Sequence, residues 1–116
     1  MWLLDVNMPR QLNGLLGEFG ISAETANNRG WGTLVNGELI EAAAAAGFDC
    51  LLTRDRLFGE SAGKSLKRYS SFSIVIVTLP QVRAPQFLAS FREEWIKAPI
   101  SPAPGQVQFW PGERTR

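Results

Sequence analysis

Short apolar runs alternate with amphipathic segments along this chain. Runs of the strand type occur at residues 2–6, 21–25, 48–53 and 73–78, and β-branched side chains make the last of them the clearest strand. Strands that alternate with helical segments argue for a parallel sheet with helices on both faces. The pattern therefore predicts an α/β fold, namely a three-layer α/β/α domain with a mainly parallel central sheet.

Three amphipathic helices are predicted between and after these strands. Their apolar positions recur at the spacing of one helical face: Leu12, Leu15, Leu16 and Phe19, then Leu39, Ile40 and Ala43, then Leu88, Phe91 and Trp95. Asn7 and Asn36 are expected to cap the first two helices, and Gly20 is expected to end the first. Residues 59–67 are polar and predict a loop that leads into a short helix.

Length and composition predict one domain over residues 1–116, since 116 residues with 45% apolar content can bury a small core. The tail from about residue 98 is expected to be irregular, with an edge strand at 106–110 and a frayed end at 112–116. We see no transmembrane run and no signal peptide, which predicts a cytoplasmic protein without a membrane partner. The single cysteine, Cys50, is expected in the core.

The chain contains no histidine, and this excludes several classes of site. A Ser-His-Asp triad, a Cys-His dyad and an imidazole zinc site all need that side chain. A single cysteine excludes a thiolate zinc site as well. Polar chemistry must then come mainly from carboxylates, hydroxyls, amides and basic side chains, and such hard oxygen ligands suit Mg²⁺ or Mn²⁺.

Acidic residues follow the predicted strands at one edge of the sheet. Asp5 comes directly after the first strand, Asp55 lies just past the third, and Glu38 lies at the start of the helix after the second. In parallel sheets these positions share the edge at which ligands bind. Carboxylates brought together repel one another, and a divalent cation relieves that repulsion. We therefore predict a Mg²⁺ or Mn²⁺ site that hydrolyses phosphodiesters.

Each of these carboxylates also has a structural alternative. Asp5 could cap the helix that follows it, and Asp55 could form a turn or pair with Arg54 or Arg56. Glu38 stands where a helix N-terminus favours any carboxylate. Sequence alone leaves both interpretations open for all of them.

The net charge of +1 gives no general attraction to nucleic acid. Basic residues nevertheless cluster within fifteen positions: Arg54, Arg56, Lys64, Lys67 and Arg68. They form either a solvated surface or a local patch that attracts phosphates beside the acidic site. Trp31, between two glycines, either stacks on a base of the substrate or covers the core.

Three blocks of the sequence together resemble a known family. They are residues 3–9 (LLDVNMP), residues 30–40 with Gly-Trp-Gly followed by Asn-Gly-Glu-Leu-Ile, and residues 47–55 (GFDCLLTRD). In order and spacing they are similar to the small PIN-like predicted nucleases related to VapC-type toxins, over about the first 80 residues. The resemblance implies a compact PIN-like fold and cleavage of RNA with Mg²⁺ or Mn²⁺ held by three or four acidic residues.

Carried over by position, the resemblance assigns roles to the residues at the sheet edge. Asp5 matches the acid of the first strand, Glu38 the helix acid, and Asp55 the acid of a Thr-x-Asp segment with Thr53 as its companion. Asn7 and Asn36 are expected to support the site. The implied protein is a metal-dependent ribonuclease and a toxin–antitoxin component, with RNA and an antitoxin as partners.

The chain departs from the family pattern at two positions. Val6 and Asn36 stand where the family often carries acids, and Glu60 is the candidate for a fourth acid. These departures favour an alternative, a degenerate PIN-like module that binds RNA or a protein without cutting. A receiver-like phosphorylation switch has the right size, but the chain lacks the paired acids and the late strand-end lysine of that class.

A homodimer is also expected from the aromatic residues of the C-terminal third. Phe91, Trp95, Phe109 and Trp110 offer apolar surface to a second copy. The same residues could instead complete the core of one chain.

Overall fold

The computed structural model describes residues 1–112, apart from the side chains at positions 59 and 60. The fourth-acid candidate Glu60 and most of the predicted frayed end therefore lie outside the described residues. In chain order the elements are β1 (Trp2–Leu4), α1 (Leu12–Glu18), β2 (Ala23–Thr25), α2 (Asn36–Ala45), β3 (Cys50–Thr53), α3 (Arg56–Ser61), α4 (Gly63–Arg68), β4 (Ser73–Val77), α5 (Ala84–Lys97) and β5 (Val107–Trp110).

The five strands form one sheet in the order β2-β1-β3-β4-β5. Every neighbouring pair is parallel. The predicted parallel sheet is thus confirmed, and the order is one of the common arrangements of doubly wound sheets. The order reverses beside β1, because its sequence neighbour β2 lies on one side and β3 lies on the other. The strand predicted at 106–110 is present as β5 at one edge.

Helices cover both faces of the sheet. Leu12, Leu15 and Leu16 of α1 pack with Phe87 and Phe91 of α5 against one face. The opposite face is covered by apolar residues of α2, α3 and α4 and of the junction between α3 and α4, which include Leu39, Ile40, Phe58, Ala62 and Leu66. Successive residues of the strands face the two cores in turn, as the pleat requires. This arrangement is compatible with the predicted three-layer α/β/α fold.

The aromatic residues expected to face a second copy lie largely inside this chain. Phe91 and Trp110 are buried, and Trp95 and Phe109 are half-buried and pack against the two cores. Trp110 Nε1 donates a hydrogen bond to the Ala98 carbonyl at 2.8 Å. The four residues therefore complete the core of one chain, which was the alternative interpretation.

Neither asparagine expected to cap a helix does so. Helix α1 begins only at Leu12, because Pro9 and Arg10 accept single-turn hydrogen bonds before regular helix starts. Asn36 is the first residue of α2 rather than its cap, and its Nδ2 donates to Ser61 Oγ at 2.8 Å. Both predictions were wrong for one reason: each amide finds a partner in a distant segment that local sequence does not reveal.

The segment expected to be a loop before a short helix contains two short helices, α3 and α4. The prediction that Gly20 ends α1 is confirmed, because Gly20 has a φ of 84° and Ile21 N donates to Leu16 O. Cys50 is fully buried, as expected. Among residues 1–112, none of the helices has the length and apolar character needed to cross a membrane.

Candidate functional site

The candidate site lies in the crevice between the carboxyl ends of β1 and β3. Leu4 and Leu52 are paired at this end, and Asp5 N continues the ladder by donating to Leu52 O at 3.0 Å. The strand order reverses here, and ligands of open α/β sheets bind at such points. The position of Asp5 predicted from sequence is therefore confirmed as the end of a central strand.

Thr53 organises the crevice through its hydroxyl group. The residue is fully buried, and Oγ1 donates a hydrogen bond to Asp5 Oδ2 at 2.7 Å. Oγ1 also accepts hydrogen bonds from Asn7 Nδ2 at 3.3 Å and from Asp55 N at 3.1 Å. A hydroxyl has one proton and two lone pairs, so these three bonds use its full capacity. Asn7 Oδ1 in turn accepts a hydrogen bond from Arg54 N at 3.2 Å.

Asp5 is 8% exposed, and its two oxygens are held differently. Oδ1 accepts from Val6 N at 2.8 Å, and Oδ2 accepts from the Thr53 hydroxyl. Each carboxylate oxygen keeps a free lone pair, because an ionised carboxylate offers about four acceptor positions. Asp5 opens into a cavity of ≈ 390 Å³ that is lined mainly by polar residues of the segment after β1, of the end of β2 and of the loop that follows it, among them Arg10, Thr25, Asn27 and Asn28.

Asp55 caps the helix that follows it. Its Oδ1 accepts a hydrogen bond from Leu57 N at 2.9 Å, and its backbone carbonyl accepts from Phe58 N at 3.1 Å. A carboxylate in this position satisfies the free N–H groups of the first turn of α3. Asp55 is tied to the crevice through its backbone N–H on Thr53, while its side chain serves the helix.

Glu38 also stabilises its own helix. Its Oε1 accepts a hydrogen bond from Val35 N at 3.3 Å, so the glutamate side chain satisfies the N–H of the N-cap residue of α2, while the Val35 side chain has no oxygen to complete a capping box. The side chain is exposed and lines a second cavity, of ≈ 340 Å³, which it shares with Glu41, Lys64 and Arg68. Two members of the basic cluster thus lie beside carboxylates on α2 rather than beside Asp5.

The predicted metal centre can be tested against these positions. Among the described residues, the structure forms no group of three acidic, histidine or cysteine side chains able to hold a metal ion. Asp5, Glu38 and Asp55 therefore do not make the expected three-carboxylate centre. Mg²⁺ at phosphate-processing sites takes one or two protein carboxylates and completes its shell with phosphate oxygens and water. Asp5 has the free lone pairs for that smaller role.

The two arginines expected to bind substrate lie on aromatic rings. The Arg54 guanidinium is 4.3 Å from the centre of Phe87, and its Nη2 donates to the Pro80 carbonyl at 3.2 Å. Burial lowers the pKa of Arg54 from its ordinary value. Arg56 lies 5.3 Å from the centre of the Phe109 ring. Such contacts stabilise a cation, so both side chains have structural partners while their role toward substrate stays a prediction.

Trp31 packs on the α2 side of the sheet. Its ring meets Phe48 edge-on with 6.0 Å between the centres, and the Arg29 guanidinium lies over both rings. Within the described part of the chain, Trp31 does not line the Asp5 cavity. The interpretation of Trp31 as a cover over the core fits these contacts.

The polar residues that complete the cavity were not predicted from the sequence. Thr25 ends β2, and Asn27 and Asn28 follow it almost at once. The rule that singled out Asp5 and Asp55, polar residues just past a parallel strand, applies equally to β2. β2 has only three residues and few apolar side chains, so the sequence indicates the end of this strand only weakly.

Comparison of the chain with protein-family models, with curated proteins and with solved structures finds no match. The function must therefore be argued from the chemistry of the crevice and from the three sequence blocks that resemble the PIN-like family.

Proposed function

We propose that the protein is a PIN-like, metal-dependent ribonuclease that hydrolyses RNA phosphodiester bonds at the crevice between β1 and β3. One observation carries the proposal. The Asp5 carboxylate is nearly buried, is oriented by a hydrogen bond from the Thr53 hydroxyl, and opens into a cavity lined mainly by polar residues of the segments that follow β1 and β2. A buried carboxylate without an ion-pair partner is costly, and functional sites are where such groups are retained.

Each residue of the site would have a separate role in the hydrolysis of RNA. Asp5 would hold Mg²⁺ or Mn²⁺, which when bound lowers the pKa of a water molecule and polarises a phosphoryl oxygen. Thr53 and the Val6 N–H keep the carboxylate in one orientation. Arg10 lines the same cavity and supplies positive charge toward a phosphate. Catalytic roles for Glu38 and Asp55 remain part of the proposal, although both side chains cap helices.

A second candidate is a degenerate PIN-like module that binds RNA without cutting it. The observation in its favour is that two of the three predicted metal ligands are engaged at helix starts, Glu38 at α2 and Asp55 at α3. A toxin role, with an antitoxin as partner, rests on the family resemblance alone. A small reading frame next to this one would support it.

The decisive experiment is an RNA cleavage assay with Mn²⁺ and an EDTA control. We expect cleavage by the wild-type protein and by Asp49→Asn, an exposed carboxylate that pairs with the chain's own amino group at 3.5 Å. We expect Asp5→Asn to lose about 100-fold or more of the rate, since a preorganised charge at the reacting centre is lost. Thermal unfolding followed by circular dichroism checks that Asp5→Asn remains folded.

Two further variants separate the candidate functions. Glu38→Gln and Asp55→Asn keep an oxygen that can cap the helix and lose only the charge. Loss of cleavage in both would make them metal or catalytic groups, and unchanged cleavage would leave them as caps. Cleavage that survives in Asp5→Asn would remove Asp5 from the mechanism. RNA that binds but stays intact with Mn²⁺ would support the binding module.

A further inference from the structure

We infer that the loop after β2, residues 27–32, recognises one unpaired nucleobase of the RNA through the side-chain amides of Asn27 and Asn28. The inference rests on the proposed function, because RNA supplies the base. It names the part of the RNA that the Asp5 cavity would hold, namely a base. It also gives the cavity a means of discriminating between nucleotides.

The size and lining of the cavity suit a single nucleotide. Its volume of ≈ 390 Å³ lies near the lower end of ligand pockets, which span roughly 300–1,000 Å³. Apolar walls come from Val6 and Met8, and polar groups come from Arg10 and the two asparagines. A nucleotide needs this combination, because its base has apolar faces and polar edges while its phosphate is an anion.

Both asparagines stabilise the loop through backbone groups, and among the described residues their side-chain amides have no hydrogen-bond partner. Asn28 N donates to Thr25 Oγ1 at 3.0 Å, and the Asn27 carbonyl accepts from Gly30 N at 3.0 Å. A side-chain amide offers a donor and an acceptor side by side. The edges of unpaired bases present the complementary pair, and proteins read single-stranded RNA through those edges.

The backbone of the loop is held firmly, which limits where the two exposed side-chain amides can lie. Trp31 N donates to Ala26 O at 2.9 Å, which closes the loop back onto the end of β2. The Trp31 ring packs against Phe48, and Arg29 covers both rings while pairing with Glu24 at 2.8 Å. Preorganised polar groups bind a ligand at a lower entropy cost than mobile ones.

The lack of a side chain at Gly32 leaves space for the Asn27 amide, and a substitution can test this. An ideal Cβ at Gly32 would lie 2.5 Å from Asn27 Oδ1, closer than real contacts allow. The absence of a side chain at Gly32 therefore gives the Asn27 amide room to lie where it does. Because Oδ1 is the end of a flexible side chain, Gly32→Ala should displace the amide and leave the fold intact.

The test is a titration of nitrogen-15-labelled protein with the four nucleoside 5′-monophosphates, in EDTA so that no metal contributes. The base-free control is ribose 5-phosphate. We expect at least one nucleotide to shift the side-chain amide signals of Asn27 and Asn28, with no such shift from ribose 5-phosphate. Asn27→Ala and Asn28→Ala should each weaken nucleotide binding by about tenfold or more, the effect of losing a base-edge hydrogen-bond pair.

Matched variants serve as controls. Gly32→Ala should weaken the same nucleotide several-fold, whereas Gly14→Ala, where a Cβ meets nothing within 4 Å, should not. Asn13→Ala, exposed on α1, should also leave binding unchanged. Equal shifts from ribose 5-phosphate, or wild-type affinity in Asn27→Ala and Asn28→Ala, would overturn base recognition. If RNA is still cleaved in that case, only this inference fails; if nucleotides bind and RNA stays intact, only the nuclease proposal fails.

Discussion

At the scale of single residues, the Thr53 hydroxyl is the group on which the crevice depends. It joins four segments at once: its own strand, the carboxylate of Asp5, the amide of Asn7 and the backbone at Asp55. Each of these partners is polar and at least partly shielded from water. If the Thr53 hydroxyl were removed, each partner would lose a hydrogen bond that water could replace only poorly. The same hydroxyl thus supports both the fold and the orientation of the candidate metal ligand.

Replacing Thr53 by valine preserves the shape of the side chain and removes all three hydrogen bonds. We expect Thr53→Val to lower the free energy of unfolding by about 1–3 kcal/mol, the usual cost of leaving buried polar groups unsatisfied. Thr53→Ser keeps the hydroxyl and should recover much of the loss. Urea unfolding of both variants measures the difference. A valine variant as stable as the wild type would show that the network contributes little.

The same residues show what sequence could and could not predict about the site. Asp5 and Thr53 were predicted because a polar residue at the end of an apolar strand is visible in one short segment. Asn7 was expected to support the site, but its partners at Thr53 and Arg54 could not be read from the sequence because they are more than forty residues away. Glu38 and Asp55 lie at helix starts, where capping and metal binding favour the same residue type.

At the scale of elements, α5 is attached to the sheet by a cluster of aromatic rings. Trp95 stacks on Phe19 with 4.7 Å between ring centres and an interplanar angle of 6°. Trp95 also contacts Trp2, Phe91 and Trp110. This one side chain therefore joins α5 to β1, β5 and the end of α1.

Two neighbouring residues of α5 allow a controlled test of this cluster. Trp95→Ala should lower the free energy of unfolding by up to about 3 kcal/mol, because the side chain is half-buried and removing a fully buried aromatic side chain costs about 3–5 kcal/mol. Ile96→Ala, at a position that is 74% exposed, should change it by less than about 0.5 kcal/mol. Equilibrium urea unfolding gives both values. Similar losses in the two variants would mean that the aromatic contacts are not specific.

Helices α3 and α4 show why some elements escaped prediction. Phe58, Ala62 and Leu66 are buried at a spacing of four residues, so they form one apolar row facing the sheet. The row is sparse, and glycines and charged residues surround it, so each helix alone has little intrinsic stability. Packing against the sheet provides the stability, and packing partners cannot be read from a local window of sequence.

At the scale of the whole molecule, the charge balance limits how RNA could be held. The chain has 12 basic and 11 acidic residues, and Arg54 and Arg56, which follow β3, are partly engaged with aromatic rings. A net charge of +1 gives little of the general electrostatic attraction that dominates nonspecific binding. Contacts with RNA should therefore be few and local.

The salt dependence of RNA binding measures this directly. For single strands, the slope of log affinity against log salt is about −0.7 for each phosphate contact. We expect a slope no steeper than about −2, which corresponds to roughly three contacts. Fluorescence anisotropy with a labelled oligonucleotide over a salt series gives the value. A slope steeper than about −4 would require about six phosphate contacts and would contradict a local site.

Strand β4 has a consequence for the chain before it has folded. Its five residues, Ser73–Val77, are buried without exception, and they contain neither charge nor proline. Apolar β-branched segments of this type are the ones that stack between molecules into cross-β fibrils when they are left unpaired. In the native sheet β4 is enclosed by β3 and β5, and β5 is made about thirty residues later. Until β5 is in place, one side of this segment is open to other chains.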